Sequence, residues 1–176
     1  ACQSAARGLR GGRKPDARPA LLFGLLLDTG IKKSEAMRLT PEDFHQEGPE
    51  PILHVRKTGA GDVYHERRLP LSDGLLPVLD QYLEQYTPKT SLFTCTARNL
   101  EYVLENLGEL AGVERKISFE MMRWTSAVRD YQAGRDPNAI REKLGLSRIS
   151  WVETLRKIRQ LSGETVDGAE VKPERG

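Results

Sequence analysis

The hydrophobic period of this chain changes twice along its length, and that change leaves few architectures open. Residues 51–57, "PILHVRK", and 62–71, "DVYHERRLPL", alternate apolar and polar side chains as strands do. Thr58-Gly59-Ala60-Gly61 between them has the small-residue chemistry of a hairpin. These glycines fit a turn better than a phosphate cradle, because no helix start follows them. On both sides of this short stretch the apolar residues recur every three or four positions, as on one face of a helix. The expectation is an α+β domain, mainly helical, with one small antiparallel hairpin or sheet.

Helix boundaries follow from local chemistry. Asp16 can cap a helix over "ARPALLFGLLLD", with Pro19 tolerated in its first turn and Thr29-Gly30 stopping it. Ser34 is the expected N-cap of a short "SEAMRL" helix that ends before Pro41. After Ser72, "DGLLPVLDQYLEQY" places Leu75, Leu76, Leu79, Tyr82 and Leu83 on one face, and "ARNLEYVLENLGELAG" does so through Leu100, Val103, Leu104, Leu107 and Leu110. Ser118 then caps "FEMMRWTSAVRDYQ", which closes on Gly134, and Asp136-Pro137 opens "NAIREKLG". "SRISWVETLRKIRQL" forms the last helix. The division expected is a flexible basic lead-in at 1–16, one domain at 17–161, and a disordered tail at 162–176.

A chain of 176 residues is long enough for one real core, and its 38% hydrophobic and 30% charged residues are ordinary for a globular domain. The longest apolar run, residues 20–27, is too short to cross a bilayer, so no membrane partner is expected. No charged leader with an apolar core opens the chain, and the missing initial Met fits an excised piece of a longer protein. Cys2 and Cys95 make neither a disulfide framework nor a metal set, and His45, His54 and His65 lack ligand spacing. The setting expected is reducing and cytoplasmic, with no metal and no cofactor.

The net charge of +2 is small, but its distribution is uneven. Residues 1–18 carry five Lys/Arg against one Asp, and residues 120–161 carry nine Lys/Arg against five Asp/Glu, so each segment is net +4. Residues 162–176 are net −2. Basic segments at both ends of the folded region can build an anion-facing surface; a solvated charged face is the alternative.

Three separated stretches, in order, resemble the catalytic domain of tyrosine recombinases and phage integrases. "LLLDTGIKKSEAMRLTPEDF" is similar to the family segment Thr-Gly-Leu-Arg-hydrophobic-Ser-Glu. "HVRKTGAGDVYHERRLPL" resembles the family hairpin, with a lysine before the turn and an Arg-x-hydrophobic-Pro-Leu exit. "ISFEMMRWTSAVRDYQAGRDPNAIREKLGLSRIS" resembles the box that opens His-x-x-Arg and continues to Leu-Gly-His. The likeness covers roughly residues 17–160. It implies a chemistry in which a tyrosine attacks a DNA phosphodiester and forms a 3′-phosphotyrosine link, without metal. Two arginines would hold the non-bridging oxygens with their planar forks, and a lysine would protonate the leaving oxygen.

Carried over position by position, the family's first arginine falls on Lys32 and its acidic support on Glu35. The hairpin lysine falls on Lys57, the first histidine on Glu120, the second arginine on Arg123, the residue after Leu-Gly on Leu146, and the tyrosine on Leu155. Lys32 keeps a charge and loses the bidentate fork. A carboxylate at Glu120 about 4 Å from a phosphate charge would cost roughly 4 kcal/mol at an effective dielectric near 20. Leu155 has no atom able to attack phosphorus. The resemblance therefore implies a catalytically degenerate domain that binds double-stranded DNA through phosphates, with Lys32, Lys57, Arg67, Arg68 and Arg123 as the contacts.

The bland reading of Arg123 is a salt bridge to Glu35 or to Glu120, one helical turn before it. Trp124 and Trp151 read as core anchors, and Leu146 and Leu155 as apolar packing that seals the old cleft. Two other functions stay open. One is a divergent but active recombinase; the other is a protein-interaction scaffold that self-associates through the C-terminal helix and tail, with Ile149, Val152 and Ile158 on its exposed face.

Overall fold

A computed structural model of the chain describes residues 15–56 and 66–164. Helix α1 (Ala17–Thr29) is followed by short α2 (Lys33–Ala36), a 3-10 turn (Pro41–Asp43), strands β1 (Phe44–His45), β2 (Ile52–Val55) and β3 (Arg67–Pro70), and a second 3-10 turn (Asp73–Leu75). Five helices complete the fold: α3 (Leu76–Tyr86), α4 (Ala97–Leu110), α5 (Phe119–Gln132), α6 (Pro137–Lys143) and α7 (Arg148–Leu161). This is the mainly helical α+β architecture that the change of period requires.

Local chemistry sets the helix ends. Asp16, Ser118, Asp136 and Ser147 each accept a backbone N–H of the first turn, from Arg18, Met121, Ala139 and Ser150 respectively. Gly30, Gly134 and Gly145 follow helices with φ of 60°, 77° and 62°, a region that costs other residues strain.

Three details depart from the sequence reading. β1 pairs antiparallel with β2, placing Phe44 opposite Leu53, so the sheet has three strands in the order β1-β2-β3. The turn proposed at residues 58–61 lies outside the described residues. Helix α2 is capped at Lys32 and not at Ser34: the Glu35 carboxylate reaches back to accept the Lys32 N–H at 2.8 Å. Leu110 is 75% exposed, so the apolar face of α4 ends at Leu107.

The core divides in two. The larger cluster surrounds α1, whose Leu21, Leu22, Leu25 and Leu26 are all fully buried, and takes in Leu53, Leu79, Tyr82, Phe93, Leu100 and Leu104. A helix with so broad an apolar surface must lie at the centre of a bundle, and α1 packs against α3, α4 and α5. The smaller cluster joins Ala127, Ile140, Leu144, Trp151 and Ile158 from α5, α6 and α7, with Trp124, Leu146 and Leu155 on its rim.

Candidate functional site

The site forms where the two clusters meet, at the junction of α1, α2, β3, α5 and the end of α6. The last carbonyls of a helix have no partner within it and carry its partial negative charge. At the end of α6, guanidinium groups satisfy them. Arg67 donates Nε to the Lys143 carbonyl at 2.9 Å, Arg123 donates Nη2 to the Leu144 carbonyl at 2.5 Å, and Arg141 donates Nη1 to the Leu146 carbonyl at 3.1 Å.

Arg123 also donates Nη1 to the Gly30 carbonyl at 2.5 Å, so one guanidinium ties the ends of α1 and α6 to α5. Two glycines allow this closeness. A Cβ at Gly30 would meet Leu144 Cδ2 at 3.1 Å and Ser126 at 3.3 Å; one at Gly145 would lie 2.9 Å from Arg67 Nη1. Both have positive φ, so a side chain would be strained as well as crowded.

Arg67 is placed by a second bond set. Its Nη1 and Nη2 each lie 2.9 Å from an oxygen of Glu35, and the two side chains are only 8% and 4% exposed. This two-pronged geometry is the strongest form of the pair. Burial alone would push the Glu35 carboxyl up. The Arg67 bonds and charge, the Lys32 N–H and the nearby Arg123 charge outweigh it and hold the carboxyl below its ordinary range.

The expected phosphate contacts therefore separate. The fork of Arg67 is bound to Glu35 and its Nε to the Lys143 carbonyl, so it ties α2 and the end of α6 to β3. Arg68, its neighbour on β3, is exposed. It lines an open cleft of about 580 Å³ between β3 and α6 together with Arg135, Arg141 and Glu142. Lys32 is half-buried at the start of α2. Arg123 is half-buried, with its plane fixed by the two carbonyls. Lys57 lies outside the described residues.

The carboxylates are also placed. Glu35 pairs with Arg67, and Glu120 accepts the Trp124 indole N–H at 3.3 Å, one turn along α5. Leu146 and Leu155 are half-buried and pack on the smaller cluster, as the sequence suggests. Trp151 is buried, but Trp124 is only half-buried, and Lys157 Nζ stands 4.1 Å from its ring centroid. Ile158, expected on an exposed face, is fully buried, whereas Ile149 and Val152 are 90% and 63% exposed.

The five tyrosines can be followed one by one. Tyr64 lies outside the described residues. Tyr82 donates to the Leu92 carbonyl and Tyr86 to Asp16, while Tyr102 accepts from Arg98. Tyr131 donates to Glu164 at 3.0 Å and sits eight residues beyond Arg123 on α5, roughly 12 Å along the helix. None of these four hydroxyl groups is bonded at the Arg67–Arg123 junction.

Sequence reasoning missed Lys143, Arg141 and Lys157. Lys143 is 7% exposed at its side chain, bonded to Asp130 at 2.6 Å and to Ser126 at 2.8 Å. Burial pushes its ammonium down from the ordinary lysine range, with Asp130 opposing. A lysine at the end of a short helix carries no signal that it will turn inward. Among the described residues, no cluster of His, Cys, Asp and Glu is placed to hold a metal, and no helix is long and apolar enough to cross a membrane.

The chain belongs to the phage integrase family, whose pattern matches residues 7–159. It is 30% identical over 157 residues to the tyrosine recombinase XerC of Neisseria gonorrhoeae, covering 84% of this chain and 50% of that protein. It is 25% identical over 158 residues to the tyrosine recombinase XerD of Listeria innocua, covering 82% of this chain and 51% of that one. The chain thus spans about half the length of these curated relatives. The fold is shared with the crystal structure of XerA recombinase, with a TM-score of 0.72, 22% identity, and coverage of 91% of this chain and 61% of that one. It is shared too with XerH site-specific recombinase bound to its difH substrate in a pre-cleavage complex, with a TM-score of 0.71, 21% identity, and coverage of 94% and 49%.

Proposed function

We propose that this chain is a recombinase-type DNA-binding domain that grips duplex phosphates without cutting them. Leu155 carries the proposal. The motif match sets it at the position of the family nucleophile in this reading, and its side chain packs on the Trp151–Ile158 cluster. Covalent catalysis requires an activated nucleophile within reach, and a hydrocarbon supplies none. The likeness to tyrosine recombinases supports DNA as the partner, and XerH is bound to its difH substrate.

Arg123, Lys32 and Arg68 are the phosphate contacts in this reading, with Lys57 as a fourth. Arg67 holds Glu35 and the α6 end in place behind them. Phosphate contacts carry no sequence information directly, so this reading gives the domain grip on duplex DNA and not choice of a site. The reading divides the chain into a basic lead-in at 1–16, the domain at 17–161 and a tail at 162–176, in a reducing cytoplasm.

The test uses full-length protein and a duplex of mixed sequence. Log affinity should fall linearly with log salt concentration, and Arg123→Ala should weaken binding on all sequences. A nicked suicide duplex should trap no covalent adduct; an adduct on this domain overturns the proposal.

One observation favours a second reading, self-association through α7: Ile149 and Val152 are 90% and 63% exposed on one helix. Salt-insensitive dimerisation without DNA binding would establish that reading in place of the first.

A further inference from the structure

The Trp124 indole is approached from two sides by opposite charges. Glu120 Oε1 accepts its N–H at 3.3 Å, and Lys157 Nζ lies 4.1 Å from its ring centroid. The carboxylate comes from the same helix; the ammonium comes from α7, two residues beyond Leu155. The inner face of α7 is fixed, because Trp151 is 8% exposed and Ile158 not at all. Lys157 therefore cannot turn inward, and the neighbouring position on the helix sets it over the half-buried ring.

A cation over a ring face is held by the ring's quadrupole and not by an acceptor atom. The contact directs the ammonium while its three N–H donors stay suited to oxygen ligands. Lys157 is exposed, so it meets an incoming anion without first being uncovered. The position matters as well. Trp124 follows Arg123 on α5 and packs in the same cluster as Leu144, whose carbonyl binds Arg123, and as Leu146 and Leu155. Helix α7 thus brings Leu155 to the smaller cluster and Lys157 to the Trp124 ring.

We infer that Lys157, held over the Trp124 ring, is a phosphate-gripping residue of this domain, a cation that offsets the Glu120 carboxylate on the same indole. The inference rests on the DNA-binding reading above and adds a residue that the family motifs do not contain. Without Lys157, the Glu120 carboxylate would hold the Trp124 indole with no ammonium over the same ring. With Lys157, the same indole presents both signs, and the Glu120 charge that an arriving phosphate meets is offset.

The experiment measures binding of the full-length protein to a fluorescein-labelled duplex of mixed sequence across a salt series. Lys157→Ala should weaken binding about tenfold at low salt and reduce the slope of log affinity against log salt by about 0.9, the loss of one phosphate contact. Lys157→Arg should restore both, and Glu120→Gln should tighten binding. If the alanine variant fails to fold, Lys157→Gln keeps the stem over the ring, removes the charge, and should show the same change of slope. A purely structural role for Lys157 would leave the slope unmoved. Salt-dependent wild-type binding with an unchanged slope in the uncharged variants overturns this inference and leaves the DNA-binding reading standing. Wild-type protein without salt-dependent binding overturns both.

Discussion

The two halves of the core are built on different principles. Around α1 the chain buries leucines almost without interruption, and the fully buried Tyr82 gives its hydroxyl to the Leu92 carbonyl. Around α6 the buried set is Ala127, Ile140, Leu144, Trp151 and Ile158, and directional bonds do much of the joining. Arg67 and Arg123 bind successive carbonyls, Glu35 meets Arg67 with both oxygens, and Lys143 reaches Asp130 and Ser126. Hydrophobic burial has no direction and tolerates repacking; bonds to particular carbonyls do not. The region that holds the candidate site is thus the one whose geometry is set by named atoms.

The largest test of that contrast is Arg67→Ala. It leaves the Glu35 carboxylate buried without its fork and strips the Lys143 carbonyl of its donor. Breaking a buried pair from one side costs about 3–5 kcal/mol. Urea unfolding should show a loss in that range, and a loss below about 1 kcal/mol would mean that packing alone fixes the site region.

Leucine truncation separates the halves more finely. Leu25→Ala, in the centre of the larger cluster, should cost about 2–5 kcal/mol by removing fully buried methyl groups. Leu155→Ala, on the rim of the smaller cluster and half exposed, should cost well under half as much. Comparable losses would make Leu155 a core residue in its own right.

The Lys143–Asp130 pair offers a different comparison. Removing Lys143 alone should destabilise, since Asp130 is 15% exposed at its side chain and loses its partner. Replacing both together by leucine should be neutral or stabilising, by up to about 4 kcal/mol, because two desolvated charges give way to packing. A large loss in the double variant would show that the pair, and not the volume it fills, orients α6.

pH reads the two halves separately. The Glu35 carboxyl is held below its ordinary range, so its contribution is fully present above the unfolded-state carboxyl pKa and is lost as pH falls through the lower folded value. Burial, the largest influence on Tyr82, pushes its phenol up to about 12. Its contribution is present below the unfolded value near 10 and is lost as pH rises through the folded one. Glu35→Gln should flatten the acid limb of a stability profile and Tyr82→Phe the alkaline limb, each leaving the other in place.

How much of this was legible in the sequence follows the same division. The caps at Asp16, Ser118 and Asp136 could be read because their partners lie two or three residues away. The leucine face of α1 could be read because its period is local. The start of α2 could not: Ser34 has the chemistry of a cap, but Glu35, pinned by Arg67 from a strand 32 residues away, takes the Lys32 N–H. Arg67 looked like a surface cation for the same reason. Sequence shows that a residue is charged, and only the fold shows whom it meets. Lys157 over Trp124 joins α7 to α5 across 33 positions, beyond any motif.

The smallest expected effect bears on what α7 does outside the core. Ile149→Ser removes an apolar side chain that is already 90% exposed, so folding stability should stay within about 0.5 kcal/mol of wild type. If α7 only grips DNA, the sedimentation coefficient should be unchanged as well. A shift from dimer to monomer at constant stability would give the exposed Ile149–Val152 face a partner of its own. The helix would then contribute Lys157 to one function and its opposite face to another, each separable from the burial of Trp151 and Ile158 that holds it in place.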